Sequence, residues 1–127
     1  MTGYPEVGCG AAIFDSSGRL LLIQRLTEPE AGAWGLPGGK IAEELGIDIE
    51  VTGLACIAEI LDQGDGRHWV SPIFFARVVS GTPRLMEPEK HGGFGWYALD
   101  ALPSRLTIPT QALIASLETA SAASPTS

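Results

Sequence analysis

The chain has 127 residues, 45% of them apolar, with 8 Lys+Arg against 15 Asp+Glu for a formal charge of −7; that is one domain with material for a core, which excludes a disordered or polyelectrolyte chain. Seven of the carboxylates (Glu43, Glu44, Asp48, Glu50, Glu59, Asp62, Asp65) lie between Ile41 and Gly66 without a Lys or Arg among them, so the whole negative excess sits in one window. With no basic stripe the chain is unsuited to tracking a nucleic-acid polymer or an anionic membrane, whereas a carboxylate patch is compatible with a hard divalent cation, and equally with a solvated acidic face.

In chain order, Val7 to Phe14 and Leu20 to Gln24 are apolar runs separated by the turn formers Asp15-Ser16-Ser17-Gly18, which predicts a hairpin. Leu26 to Gly39 is Gly- and Pro-rich and reads as a loop anchored by Trp34 and Leu36. Lys40 to Leu45 is long enough only for a short helix, with Ile41 and Leu45 on one face, Glu43 and Glu44 turned away, and Gly46 as the stop. Ile49 to Leu61 and Trp69 to Val79, joined through Gln63-Gly64-Asp65-Gly66, form a second, longer hairpin.

Glu87 to Pro103 starts as a polar loop and becomes a short strand at Trp96 to Leu99. Thr110 is the expected N-cap of a closing helix from Gln111 to about Thr119. The expectation is one domain over residues 1–119 and a frayed tail over 120–127. Cys9 and Cys56 lack any paired spacing and read as small buried hydrophobes in a reducing compartment. No apolar run reaches the length of a membrane span and Met1 to Pro5 does not open a signal segment, so a soluble cytoplasmic protein is the expectation.

Chemistry is concentrated where Gly35-Leu36-Pro37-Gly38-Gly39-Lys40 runs into Ile41-Ala42-Glu43-Glu44-Leu45-Gly46-Ile47. Glycines allow close backbone approach, a lysine neutralises phosphate, and helical carboxylates grip a cation. An ordinary Gly-rich turn before an exposed Glu-Glu pair would read the same way. A second polar stretch, Glu87-Pro88-Glu89-Lys90, followed by His91 and three glycines, offers carboxylates on a loop. Trp34 and Phe94 are candidates for stacking on a nucleobase or for packing, Arg25 and Arg77 for reaching phosphates, and His68 for a strand-end histidine.

Leu36-Pro37-Gly38-Gly39-Lys40 and Glu43-Glu44-Leu45-Gly46-Ile47 resemble the two ends of the Nudix box, and with Glu87-Pro88-Glu89-Lys90, Trp96 and Leu102-Pro103 downstream the chain is similar to nucleoside triphosphate diphosphatases of the MutT type from about Val7 to Leu117. The resemblance implies an α/β (α+β) class, as a Nudix-type α/β/α sandwich with a central mixed β-sheet and a truncated first helix. It implies a hydrolase of nucleoside diphosphates linked to another group, first of all a nucleoside triphosphate cleaved to monophosphate and pyrophosphate. The cofactor implied is Mg²⁺ or Mn²⁺, the partner a small nucleotide rather than a polymer, and a homodimer stays open. Carried over by position, Glu44 and Glu43 are metal ligands with Gly38 through its carbonyl, Lys40 neutralises phosphate and Glu89 is the loop carboxylate; Trp34 and Arg25, read from their own chemistry, are the further candidates to face the substrate.

One departure is specific. Gly39 and Glu43 are four positions apart, fourteen fewer than in the family pattern, and the positions lacking include the Arg-Glu that supplies a principal metal ligand. Either a segment of the functional protein is not part of this chain or the shortening belongs to it, and in the latter case an impaired, nucleotide- or protein-binding Nudix module is the alternative to an enzyme.

Overall fold

Strands that are apolar at consecutive positions, rather than alternating ones, are buried on both faces. The segments Gly10-Ala11-Ala12-Ile13 and Leu20-Leu21-Leu22-Ile23 behave this way in the computed structural model, which describes residues 6–7, 9–27, 30–38, 40–61 and 68–123. The elements in order are β1 (Glu6–Val7), β2 (Gly10–Ile13), β3 (Leu20–Arg25), β4 (Trp34–Gly35), α1 (Ile41–Leu45), β5 (Asp48–Leu61), β6 (His68–Ser80), β7 (His91–Tyr97) and α2 (Ile108–Ala123). β1 and β2 lie in one continuous register parallel to β6, and β5 lies antiparallel on the other side of β6, giving a mixed four-stranded sheet. β4, β3 and β7 form a second, antiparallel sheet.

The long β5–β6 hairpin pairs Asp48 with Ser80 through Leu61 with His68, as the sequence predicts, while its turn at Gln63 to Gly66 falls outside the described residues. The first expected hairpin is corrected. The turn forms, with Gly18 N–H donating to the Asp15 carbonyl at 3.0 Å and Phe14 bridging Leu20. Beyond that bridge the two strands part, β2 to β6 and β3 to β7, because strands so apolar find more burial with two different neighbours than in an isolated pair.

The two sheets meet along β2 and β3, and the layer carries a core on each side. Ala11, Ile13, Leu21 and Ile23 point toward Ile41, Leu45 and Ile47 at α1, whereas Ala12, Leu20, Leu22 and Ile73 point toward Leu113 of α2. This is the expected α/β/α layering with a mixed sheet, its strands divided between two sheets.

α1 has only five residues and stops at Gly46, whose φ of 68° is the left-handed conformation that suits glycine. So short a helix has no stability of its own, and it is held by burial of Ile41 and Leu45. It is about 7.5 Å long, and this leaves part of the sheet bare. Val51, Leu54 and Ile57 oppose Ala76, Phe74 and Pro72 across the β5–β6 ladder, where two bulges keep them on the face of Ala76, on the α1 side, yet they are more than half exposed.

The N-cap of α2 is Thr107 rather than Thr110: Thr110 N–H and Oγ1 both approach Thr107 Oγ1, at 3.4 and 2.7 Å, and Pro109 fits the first turn. Ile108 N–H also donates to Glu30 Oε1 at 2.9 Å. The helix continues to Ala123, past the expected end at Thr119 and into the expected tail. Cys9 is exposed rather than buried, and Cys56 is half-buried beneath α2.

Candidate metal centre

α1 follows directly on Lys40, whose carbonyl accepts Glu44 N–H at 2.9 Å, and this turn brings the Glu44 side chain back toward the glycine-rich loop. There Gly38 N–H donates to Glu44 Oε1 at 3.2 Å. The carbonyls at the end of α1 accept N–H groups from a distant segment, Leu45 from Arg84 at 2.8 Å and Glu44 from Met86 at 3.1 Å. The connection between β6 and β7 is thereby laid along the helix terminus, and Gly81, at φ 89°, permits it: a Cβ there would stand 2.8 Å from the Gly46 carbonyl oxygen.

After Met86 the chain makes one tight turn. Lys90 N–H and His91 N–H both donate to the Glu87 carbonyl, at 2.9 and 3.1 Å, while the Lys90 carbonyl accepts Leu26 N–H at 2.9 Å. β7 then starts at His91, opposite Arg25, with Gly92 the extra residue of a bulge facing the Gln24–Arg25 step of β3.

Glu44, Glu87 and His91 thus offer ligand atoms that all lie within 4.8 Å of one another. His91 is only 8% exposed, its Nε2 is 3.6 Å from Glu44 Oε2, and its Nδ1 is buried without a hydrogen-bond partner. Two carboxylates this close repel each other by roughly 3 kcal/mol at an effective dielectric of about 20, less what water screens from partly exposed groups. The Lys90 ammonium, 3.3 Å from Glu87 Oε2, offsets part of this from the solvent side. A divalent cation fits this donor set, supplying the charge that the carboxylates lack and a partner for a buried imidazole.

The sequence-derived candidates distribute unevenly around this centre. Glu44 is in it. Gly38, expected to offer its carbonyl, is seen to orient Glu44 through its N–H. Glu43 lies in α1, with its side chain outside the described part of the structure. Lys40 is exposed at the start of α1, and Arg25 ends β3 beside His91, with Nη2 3.5 Å from Thr27 Oγ1.

Glu89 is exposed in the turn, and it is Glu87 that faces Glu44. Trp34 packs edge-on against Tyr97, at 5.5 Å between ring centroids, on the α2 side of the sheet. Phe94 packs on the α1-side core, Arg77 pairs with Glu50 at 2.7 Å, and His68 stands 3.4 Å from Glu59 at the start of β6.

Glu87 and His91 were missed as a pair. Their signal is the four-residue spacing of Glu87-Pro88-Glu89-Lys90-His91, which one helical turn places on the same side. The acidic window contributes less than its composition suggests. Glu50 is taken by Arg77, Asp48 accepts the Ser80 hydroxyl at 2.8 Å, and both lie on β5; Glu44 is the member of the window found in the centre.

Among solved structures, the chain is similar to a MutT NUDIX hydrolase from Burkholderia pseudomallei, with 44% identity, a TM-score of 0.84, and coverage of 91% of this chain and 99% of that one. An ADP-ribose pyrophosphatase from Streptococcus suis matches at 25% identity and a TM-score of 0.66 over 98% of this chain and 97% of that one. The NUDIX domain of Shewanella oneidensis NrtR complexed with ADP ribose shares the fold, with a TM-score of 0.68 at 19% identity over 93% of this chain and 89% of that one. No protein-family model and no curated protein sequence matches the chain.

Proposed function

The chain belongs to the Nudix hydrolase family, enzymes acting on pyrophosphate bonds, and from that premise we propose that it hydrolyses a nucleoside diphosphate linked to another group, first of all a nucleoside triphosphate to monophosphate and pyrophosphate. The observation that carries this reading is Glu44, fixed by Gly38 N–H at the mouth of the glycine-rich loop and facing Glu87. Both carboxylates would hold Mg²⁺ or Mn²⁺, which when bound offsets charge on phosphate oxygens and polarises phosphorus toward attack. Lys40 is exposed at the start of α1 and free to reach a phosphate, and Arg25 lies across the ladder from His91. In the reaction a water oxygen would bond to phosphorus as the bridging P–O bond between the α- and β-phosphoryl groups breaks, giving monophosphate and pyrophosphate with release of a proton from the water.

A pyrophosphate-release assay over several nucleoside triphosphates and ADP-ribose, with and without Mg²⁺, tests the reading. Turnover that falls by about 10²-fold or more in Glu44→Gln, and little in Glu89→Gln, supports it; metal-independent turnover, or a larger loss from Glu89→Gln, refutes the assignment. The fourteen positions fewer between Gly39 and Glu43 favour a second reading, a binding module without turnover. Tight nucleotide binding with no product release would select it. Among the described residues no helix is long and apolar enough to cross a membrane. Cytoplasmic location and a homodimer belong to the same proposal, with the bare apolar face of Val51, Leu54 and Ile57 supporting self-association; a monomer in sedimentation at working concentration would remove the dimer.

A further inference from the structure

We propose that His91 is a ligand of the metal centre, so that the site is a mixed nitrogen–oxygen site of Glu44, Glu87 and His91 that prefers Mn²⁺ or Co²⁺ to Mg²⁺. The inference rests on the metal-dependent reading above and specifies its coordination, since the resemblance to the family supplies only carboxylates and a carbonyl. Three observations carry it. The ligand atoms of the three residues lie within 4.8 Å of one another, and two ligands on a single ion at about 2.1 Å stand up to about 4.2 Å apart, so only a small closure is needed. The His91 side chain is 10% exposed and its Nε2 faces Glu44 Oε2 at 3.6 Å, beyond hydrogen-bonding distance.

The third is the ring itself, buried with Nδ1 unpartnered. A buried imidazole that makes no good hydrogen bond is costly in a fold that otherwise satisfies its polar groups. A cation between Nε2 and the carboxylates takes the Nε2 lone pair, which has no hydrogen bond at 3.6 Å from Glu44 Oε2, and offsets the repulsion between Glu44 and Glu87, leaving the ring proton on Nδ1. An imidazole donor is a poor match for Mg²⁺, which takes oxygen, and a better one for first-row transition ions, least for Mn²⁺ and more for Co²⁺ and Zn²⁺. The shortened α1 makes this matter, because His91 supplies a donor where the positions lacking before Ile41 include a carboxylate.

The test is electron spin-echo spectroscopy of Mn²⁺ bound to the full chain without nucleotide, together with calorimetric titration of Mn²⁺, Co²⁺ and Mg²⁺. Nitrogen modulation is expected, shifting on ¹⁵N-histidine labelling, with Mn²⁺ binding weakened about tenfold or more in His91→Gln. The chain has one other histidine, His68, so the modulation must persist in His68→Gln. The wild-type spectrum is informative even if His91→Gln misfolds. Mn²⁺ bound with oxygen ligands alone, modulation lost with His68→Gln, or no Mn²⁺ binding at millimolar metal would each overturn the proposal. Oxygen-only Mn²⁺ with metal-dependent turnover overturns the ligand assignment and leaves the hydrolase reading; a nitrogen-coordinated ion without turnover supports the ligand assignment and overturns that reading.

Discussion

Replacing Leu45 by alanine should disable the metal centre without touching a ligand. Leu45 is 0% exposed and packs with Ile41, Ile47, Ile13 and Leu21. Its truncation removes buried carbons and leaves a cavity that the layer cannot readily close, because the backbone of Glu44 and Leu45 is tied to Met86 and Arg84. Such losses cost about 2–5 kcal/mol, and ~3 is a fair value for a site with partial relaxation. At roughly 4 °C per kcal/mol for a domain of this size, the melting temperature should fall by about 12 °C. Leu45→Met, which conserves volume, should cost less than about 1.5 kcal/mol.

Circular dichroism melts and urea titrations measure the stability; titration with Mn²⁺ at 25 °C measures the site. A five-residue helix has no independent stability, so in Leu45→Ala metal affinity should drop while the sheet remains folded. A melting temperature within about 3 °C of wild type would show that α1 does not depend on this packing. Unchanged metal affinity in a destabilised protein would show that Glu44 is not positioned by it.

Thr107→Ala removes the N-cap of α2 and should cost about 1 kcal/mol in urea unfolding, with Thr107→Ser, which keeps the capping hydroxyl, close to wild type; no loss in Thr107→Ala would refute the cap. Burial pushes the Cys56 thiol up, and Cys9 is exposed, so a thiol reagent should modify Cys9 first and Cys56 slowly, the latter accelerating only above the ordinary thiol range; equal rates would contradict the packing of β5 beneath α2. The Asp15 carboxyl is held below its usual range mainly by the Arg19 backbone N–H, with help from the Arg19 side chain and Ser17 N–H. Because the folded value is depressed, its contribution is present above the unfolded value near pH 4 and is lost as pH falls through the folded value. Asp15→Asn should therefore flatten the acid limb of the melting profile below about pH 4, and an unchanged limb would refute the role.

How much of this was legible in the residues depends on the range of the interaction. The turn at Asp15 to Gly18, the stop of α1 at Gly46, the β5–β6 hairpin and the double-faced burial of Leu20 to Ile23 are set within a few residues, by side-chain hydrogen bonds, glycine conformation and apolar periodicity. Glu44 could be singled out only through the resemblance of its stretch to the Nudix box, since a place in a short helix after a glycine-rich loop does not separate it from Glu43.

The partition of β2 and β3 between two sheets was decided by tertiary structure, since each strand's apolar faces fit several neighbours and the alternatives differ only in total burial. The make-up of the site was decided in the same way. Charge counted along the chain pointed to residues 41–66, yet most of the carboxylates described there belong to the edge strand β5, and Glu87 and His91 come from outside it. They reach Glu44 because the orphan carbonyls at the end of α1 take their hydrogen bonds from Arg84 and Met86. The sequence by itself determined a shortened helix that presents Glu44; its unsatisfied terminus, met across about forty residues of chain, decided which carboxylate and which imidazole would face it.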